Sequence, residues 1–139
     1  MDTKKLIEAA MLSRKNSYAP YSGYRVGAAL LCDDGSIVCG SNIENASYGA
    51  TVCAERCAVF SAVSSGKQGF TAIAIAGGVS SEEEELSDYA YPCGICRQVL
   101  REFTVPQQFT VIVARSLSDY REYTLEELLP NSFGPDNLK

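Results

Sequence analysis

Short apolar runs alternating with helical patterns predict a layered α/β domain for this chain. Val26 to Cys32, Thr71 to Ala76 and Phe109 to Ala114 are apolar and of strand length, whereas Leu6, Ile7, Ala10 and Met11 recur at helical spacing. Glycine, proline and Asn/Asp clusters punctuate the stretches between them. The 139 residues suit a single domain, with no internal repeat and no linker long enough to separate a second one.

In chain order, the periodicity predicts a first helix over residues 3–16 and a loop over Tyr18 to Gly23, which contains Pro20. Val26 to Cys32 and Ile37 to Ser41 flank Asp33-Asp34-Gly35-Ser36 and read as a hairpin whose Gly35 supplies positive φ. Asn42 to Ala50 is polar and irregular. A helix is then expected from Val52 to Ser65, with Thr51 as N-cap and Gly66 and Gly69 closing it. Thr71 to Ala76 is a buried strand that Gly77-Gly78 should stop. Ser80 to Tyr91, with glutamates at 82–85, reads as a solvated charge run. Pro92 opens a second helix at its first position. Phe109 to Ala114 is a strand, Glu122 to Tyr123 a short one, and Thr124 to Leu129 a last helical turn or two.

Net charge is −5 and no basic cluster occurs, which argues against a polyanionic partner and for a small-molecule one. No apolar run approaches bilayer length, and the amino terminus lacks an apolar signal core, so a cytoplasmic location without membrane contact is expected. Six cysteines in such a chain read as reduced thiols, some of them metal ligands.

The chain has no histidine. Against that background, Cys53-Ala54-Glu55 and Pro92-Cys93-Gly94-Ile95-Cys96 stand out. Cys53, Cys93 and Cys96 can hold one Zn²⁺ through three thiolates and leave the fourth tetrahedral position open, as catalytic zinc sites do. Glu55 lies two residues from a ligand, placed to exchange protons with a water rather than to coordinate. A ligand-x-Glu followed by Pro-Cys-x-x-Cys is the general signature of zinc deaminases. Cys-x-x-Cys alone also occurs in redox pairs and in structural zinc knuckles, and Cys57, one helical turn after Cys53, is the candidate fourth ligand for a knuckle. Three thiolates leave Zn²⁺ with an excess negative charge. Arg56 and Arg97 each follow a motif residue and are candidates to draw charge from the sulfurs. Cys32, Cys39 and Cys57 otherwise read as small apolar residues.

From Tyr18-Ala19-Pro20-Tyr21-Ser22 and Val26-Gly27-Ala28-Ala29-Leu30, through Asn42-Ile43-Glu44-Asn45-Ala46-Ser47-Tyr48, to Leu128-Leu129-Pro130-Asn131-Ser132-Phe133-Gly134-Pro135, the chain resembles the small homotetrameric cytidine deaminases almost end to end. That resemblance implies a three-layer α/β/α sandwich with a mixed sheet of about five strands. It implies hydrolytic deamination of cytidine and deoxycytidine in pyrimidine salvage, with one Zn²⁺ per chain on Cys53, Cys93 and Cys96. Glu55 matches the proton shuttle. Asn42 and Glu44 match the pair that holds the ribose 3′-hydroxyl, and Ala54 matches the backbone contact to the pyrimidine. Ala46 and Tyr48 match residues offered from a neighbouring subunit, and Phe133 an aromatic that reaches into another subunit's site. A homotetramer with shared active sites is therefore expected.

Departures from the family pattern are confined. Tyr24 stands where phenylalanine is usual against the substrate, and Arg25 replaces the usual proline beside it. Ser80 to Tyr91 is longer than usual, and Cys57 replaces a common threonine. Within the enzyme class, Asn42-x-Glu44-Asn45 favours a ribonucleoside over blasticidin S. The acidic charge disfavours a polynucleotide substrate. A zinc-stabilised structural or redox-sensing module is the reading from another class.

Overall fold

The computed structural model describes residues 1–139. Five strands form one sheet in the order β2-β1-β3-β4-β5: β1 (Tyr24–Cys32), β2 (Ile37–Ser41), β3 (Phe70–Val79), β4 (Thr110–Ala114) and β5 (Tyr120–Thr124). The β1–β2, β1–β3 and β4–β5 pairs are antiparallel, and β3–β4 is parallel. The sheet is mixed, as expected. The helices are α1 (Thr3–Ser13), α2 (Ala54–Ser64), α3 (Gly94–Phe103) and the short α4 (Leu125–Leu128). Because β3 and β4 run parallel, the chain must cross back between them, and α3 lies on that crossover.

Strand alternation sorts side chains onto two faces, each covered by helix. Ala28, Leu30, Ile73, Ile75, Val111 and Val113 face one core, closed by Ala54, Ala58, Val59 and Ala62 of α2 and Leu100 of α3. The intervening Ala29, Ala72, Ala74, Ala76, Ile112 and Ala114 face the other, against Leu6, Ile7 and Ala10 of α1. The strand surface facing α1 is mostly alanine, while larger branched side chains fill most of the α2/α3 face. The architecture is therefore three-layer α/β/α.

Several boundaries move from the sequence expectation. The first α-helix ends at Ser13, and Arg14–Asn16 continue as a 3-10 turn. Asp2 caps it, accepting the Lys5 amide at 3.1 Å. Gly35 takes the anticipated positive φ, 88°. Gly77-Gly78 does not stop the third strand, because Arg25 and Val26 of β1 pair with these glycines and carry the ladder to Val79. β5 is longer than the two residues expected, since all five of its residues pair with β4. Thr124 caps α4 through a reciprocal box with Glu127.

Ser80 to Tyr91 is not simply solvated. Leu86 is 1% exposed in the α1-side core and exchanges bonds with the residue after β4, its amide donating to the Arg115 carbonyl and its carbonyl accepting from Arg115 Nε. Arg14, 4% exposed, donates to the carbonyls of Arg25, Glu82, Gly78 and Val79 at 2.9–3.1 Å and ties this segment to the sheet. Glu83, Glu84 and Glu85 do face solvent. No helix is long and apolar enough to cross a membrane.

Candidate active site

The helices α2 and α3 begin at a common point, and cysteines begin both. Cys53 is the N-cap of α2 and Cys93 the N-cap of α3, both with extended backbone and neither with a side-chain capping bond. The expected caps are thereby corrected. Thr51 precedes the helix and uses its hydroxyl to accept the Asn45 amide at 3.1 Å, and Pro92 lies before the cap rather than inside the helix. A sulfur at the N-cap is free to face outward, beside amides that carry the positive end of the helix dipole. Cys96 follows in the first turn of α3, buried, while Cys93 is exposed.

The three sulfurs converge. Cys53 Sγ lies 3.9 Å from Cys93 Sγ, Cys93 Sγ lies 3.5 Å from Cys96 Sγ, and all three fall within 4.8 Å of one another. Thiolates at ~2.3 Å from a tetrahedral Zn²⁺ are about 3.8 Å apart, so the donor set fits zinc without rearrangement of the backbone. Cys57 is not part of the group: it sits one turn along α2, and its amide closes that turn on the Cys53 carbonyl at 3.0 Å. A four-sulfur knuckle is not assembled.

Electrostatics distinguish the cluster members. Cys53 is brought down to about 5 by hydrogen bonding from Cys96 and, next, from the Arg56 guanidinium. Cys96 is pushed up because its proton is the one shared toward Cys53 and because it is buried. Arg56 Nη2 lies 3.4 Å from both Cys53 Sγ and the Thr51 carbonyl, while Arg56 Nε is buried without a partner. The guanidinium is held strongly protonated by that sulfur. Arg97, the other candidate, goes elsewhere. Its Nε donates to the Pro92 carbonyl at 2.7 Å and its Nη1 to the Leu128 carbonyl at 2.6 Å, which locks the α3 start to α4.

Glu55 is 5% exposed in the first turn of α2. Burial pushes its carboxyl up to about 7, with the Cys53 charge adding to the effect. A group balanced near neutrality both accepts and returns protons at small cost.

Asn42 and Glu44 enter through the loop that runs alongside. Ile43 exchanges backbone bonds with Val52 at 2.9 and 3.0 Å, which sets this segment beside Cys53. Asn42 is buried; its Oδ1 accepts the Val26 amide and its Nδ2 donates to the Tyr24 carbonyl, both at 2.9 Å. The Glu44 carboxylate accepts the amides of Tyr21 and Ser22 at 3.0 and 3.1 Å and also the Ser22 hydroxyl. Both residues therefore brace the Tyr18 to Gly23 loop and the strand that follows it, a role without a local sequence signal because the bonded partners lie 16–23 positions away. Glu44, Tyr21, Ser22, Tyr48 and Thr51 line a cleft of about 370 Å³.

Ala54 is fully buried and Tyr24 half-buried, its ring against Gly77. Ala46, Tyr48 and Phe133 lie on the surface, Tyr48 in edge contact with Tyr21 at 6.0 Å between ring centres. The loop into Cys93 is buttressed by groups with no sequence signature. Tyr91 and Tyr123 share a hydroxyl bond of 2.8 Å, and Arg121 lies 4.2 Å over the Tyr89 ring.

The family model for the cytidine and deoxycytidylate deaminase zinc-binding region matches residues 1–112. The chain belongs to the cytidine deaminase family. The cytidine deaminase of Halalkalibacterium halodurans is 44% identical over 99% of this chain and 98% of its own. That of Sporosarcina psychrophila is also 44% identical, over 99% and 96%. Among solved structures, the Burkholderia pseudomallei cytidine deaminase superposes with a TM-score of 0.85 at 43% identity, covering 96% of this chain and 100% of that one. The Mycobacterium tuberculosis enzyme gives 0.80 at 36%, over 96% and 98%. The likeness spans nearly the whole chain in sequence and in fold, so the chain is an enzyme of this family.

Proposed function

We propose that this enzyme hydrolyses the 4-amino group of cytidine and deoxycytidine, releasing ammonia and the corresponding uridine, as a cytoplasmic step of pyrimidine salvage. The observation that carries the proposal is the convergence of three sulfurs at zinc spacing beside a buried carboxyl. Cys53, Cys93 and Cys96 would hold one Zn²⁺ per chain, which when bound supplies Lewis-acid activation of water.

Glu55 carries the protons. It takes one from the attacking water and gives it to N3 of the pyrimidine, then transfers the water's second proton to the departing amino group, so that ammonia leaves and the 4-oxo ring remains. Its burial excludes bulk water from that exchange and keeps the carboxyl near the balance point. Arg56 withdraws charge from Cys53 and so limits the excess negative charge of three thiolates. Asn42 and Glu44 would orient the sugar 3′-hydroxyl, each from a side chain already fixed by backbone bonds. Ala54 would offer its backbone to the base and Tyr24 its ring edge. Ala46, Tyr48 and Phe133, exposed on one protomer, would complete the sites of neighbours in a homotetramer.

The test is loss of cytidine ultraviolet absorbance on adding enzyme that is zinc-loaded, zinc-stripped or Glu55→Gln. Turnover should need zinc, and Glu55→Gln should retain the metal while losing at least about 10²-fold in rate. Turnover without metal, or near-normal turnover by Glu55→Gln, would refute the mechanism.

A further inference from the structure

The helix that presents Cys93 and Cys96 also grips the carboxy-terminal segment along its length. From α3, Arg97 Nη1 donates to the Leu128 carbonyl at 2.6 Å and Gln98 Nε2 to the Phe133 carbonyl at 2.9 Å. Arg101 Nε donates to Ser132 Oγ at 3.0 Å. The Arg101 guanidinium lies so close to Gly134 that a methyl group there would come within 2.4 Å of its Cζ. The segment adds its own stop, with the Gly134 amide donating to Asn137 Oδ1 at 2.8 Å. Between these anchors Phe133 is 58% exposed, its backbone held on both sides.

We infer that Gln98, Arg101 and Gly134 form a clasp that aims Phe133 at the nucleoside site of a second copy of this chain, and are positioning residues for substrate binding there. An aromatic arm on a free tail would lose conformational entropy on engaging a neighbour; one fixed in advance by α3 loses little. Largely buried and planar, Arg101 suits the task better than a lysine, since its fork bonds and its face packs at once. Its contact with Asp136, at 3.8 Å to a carboxylate 82% exposed, adds little. The inference rests on the reading of Phe133 given under Proposed function.

The experiment compares Phe133→Ala, Arg101→Met, Gly134→Ala and the double variant Arg101→Met/Phe133→Ala for KM, kcat and zinc per chain. Gly134→Ala displaces only the far end of the Arg101 side chain, so it perturbs the clasp without emptying the core. Phe133→Ala should raise the KM for cytidine about tenfold, in line with loss of one base–aromatic contact. Arg101→Met and Gly134→Ala should each raise KM several-fold at full zinc content, and the double variant should rise no further than Phe133→Ala. A normal KM in Phe133→Ala would overturn both the arm and the clasp. A raised KM in Phe133→Ala with normal values in Arg101→Met and Gly134→Ala would overturn the clasp alone. Loss of zinc in Arg101→Met would place the effect in α3 itself and also overturn it.

Discussion

Gly40→Ala is the substitution through which the sheet most directly addresses the chemistry. Gly40 of β2 faces α2, and a methyl group there would lie 2.4 Å from the Ala58 amide nitrogen and 2.5 Å from the Ala54 carbonyl oxygen. Unstrained contacts of this kind need about 3.5 Å, so the overlap is roughly 1 Å against both atoms. Neither is a side chain that can rotate away; both belong to the opening turns of the helix that carries Cys53 and Glu55. Gly40 pairs with Ala28 inside the sheet, which leaves α2 as the element that retreats. Overpacking of this kind costs about 1–3 kcal/mol of stability. Displacing Glu55 by roughly 1 Å should cost about 10²-fold in kcat. Urea unfolding reads the first, and initial rates of cytidine loss at saturating substrate read the second. Stability within about 0.5 kcal/mol of the parent together with an unchanged kcat would refute the account of how the sheet sets the helix.

Three further outcomes are expected. In the metal-stripped chain Glu55 is pushed up from 4.5 to about 7 by burial, so the folded state binds its proton more tightly than the unfolded one. That stabilising contribution is complete below the unfolded value and is lost as pH rises through the folded one. Glu55→Gln should therefore gain about 2–3 kcal/mol on the parent between pH ~5 and pH ~8 in paired urea titrations, and a flat difference would deny the desolvation. Arg14→Met should cost about 3 kcal/mol or more by the same assay, because four carbonyls lose one buried cationic donor. Leu86→Ala should cost about 2–4 kcal/mol while Glu84→Ala changes stability by less than about 0.5 kcal/mol, a contrast that separates an anchored segment from a solvated one.

The motif-level features depended on spacing within short stretches, and spacing is visible in a sequence. Apolar runs in Val26 to Cys32 and Thr71 to Ala76 mark strands, and Cys53-x-Glu55 with Cys93-x-x-Cys96 marks a candidate ligand set with a carboxyl beside it. Both halves of that set begin helices, so the local chain geometry already puts all three sulfurs at helix N-termini. What spacing does not contain is the identity of a partner far along the chain. Arg14 and Glu82 are 68 positions apart, and Arg97 reaches Leu128 across 31. Whether an arginine bonds a thiolate or a carbonyl is decided by which element packs over it: Arg56 lies against Cys53, and Arg97 against the end of α4. Gly77-Gly78 reads as a stop only until β1 supplies a ladder across it. The residue types of the proposed chemistry are thus written locally, because each half of the set falls within one helical turn, Cys53 with Glu55 and Cys93 with Cys96. Their protonation and orientation are tertiary properties, because burial and long-range hydrogen bonds exist only once the three layers close.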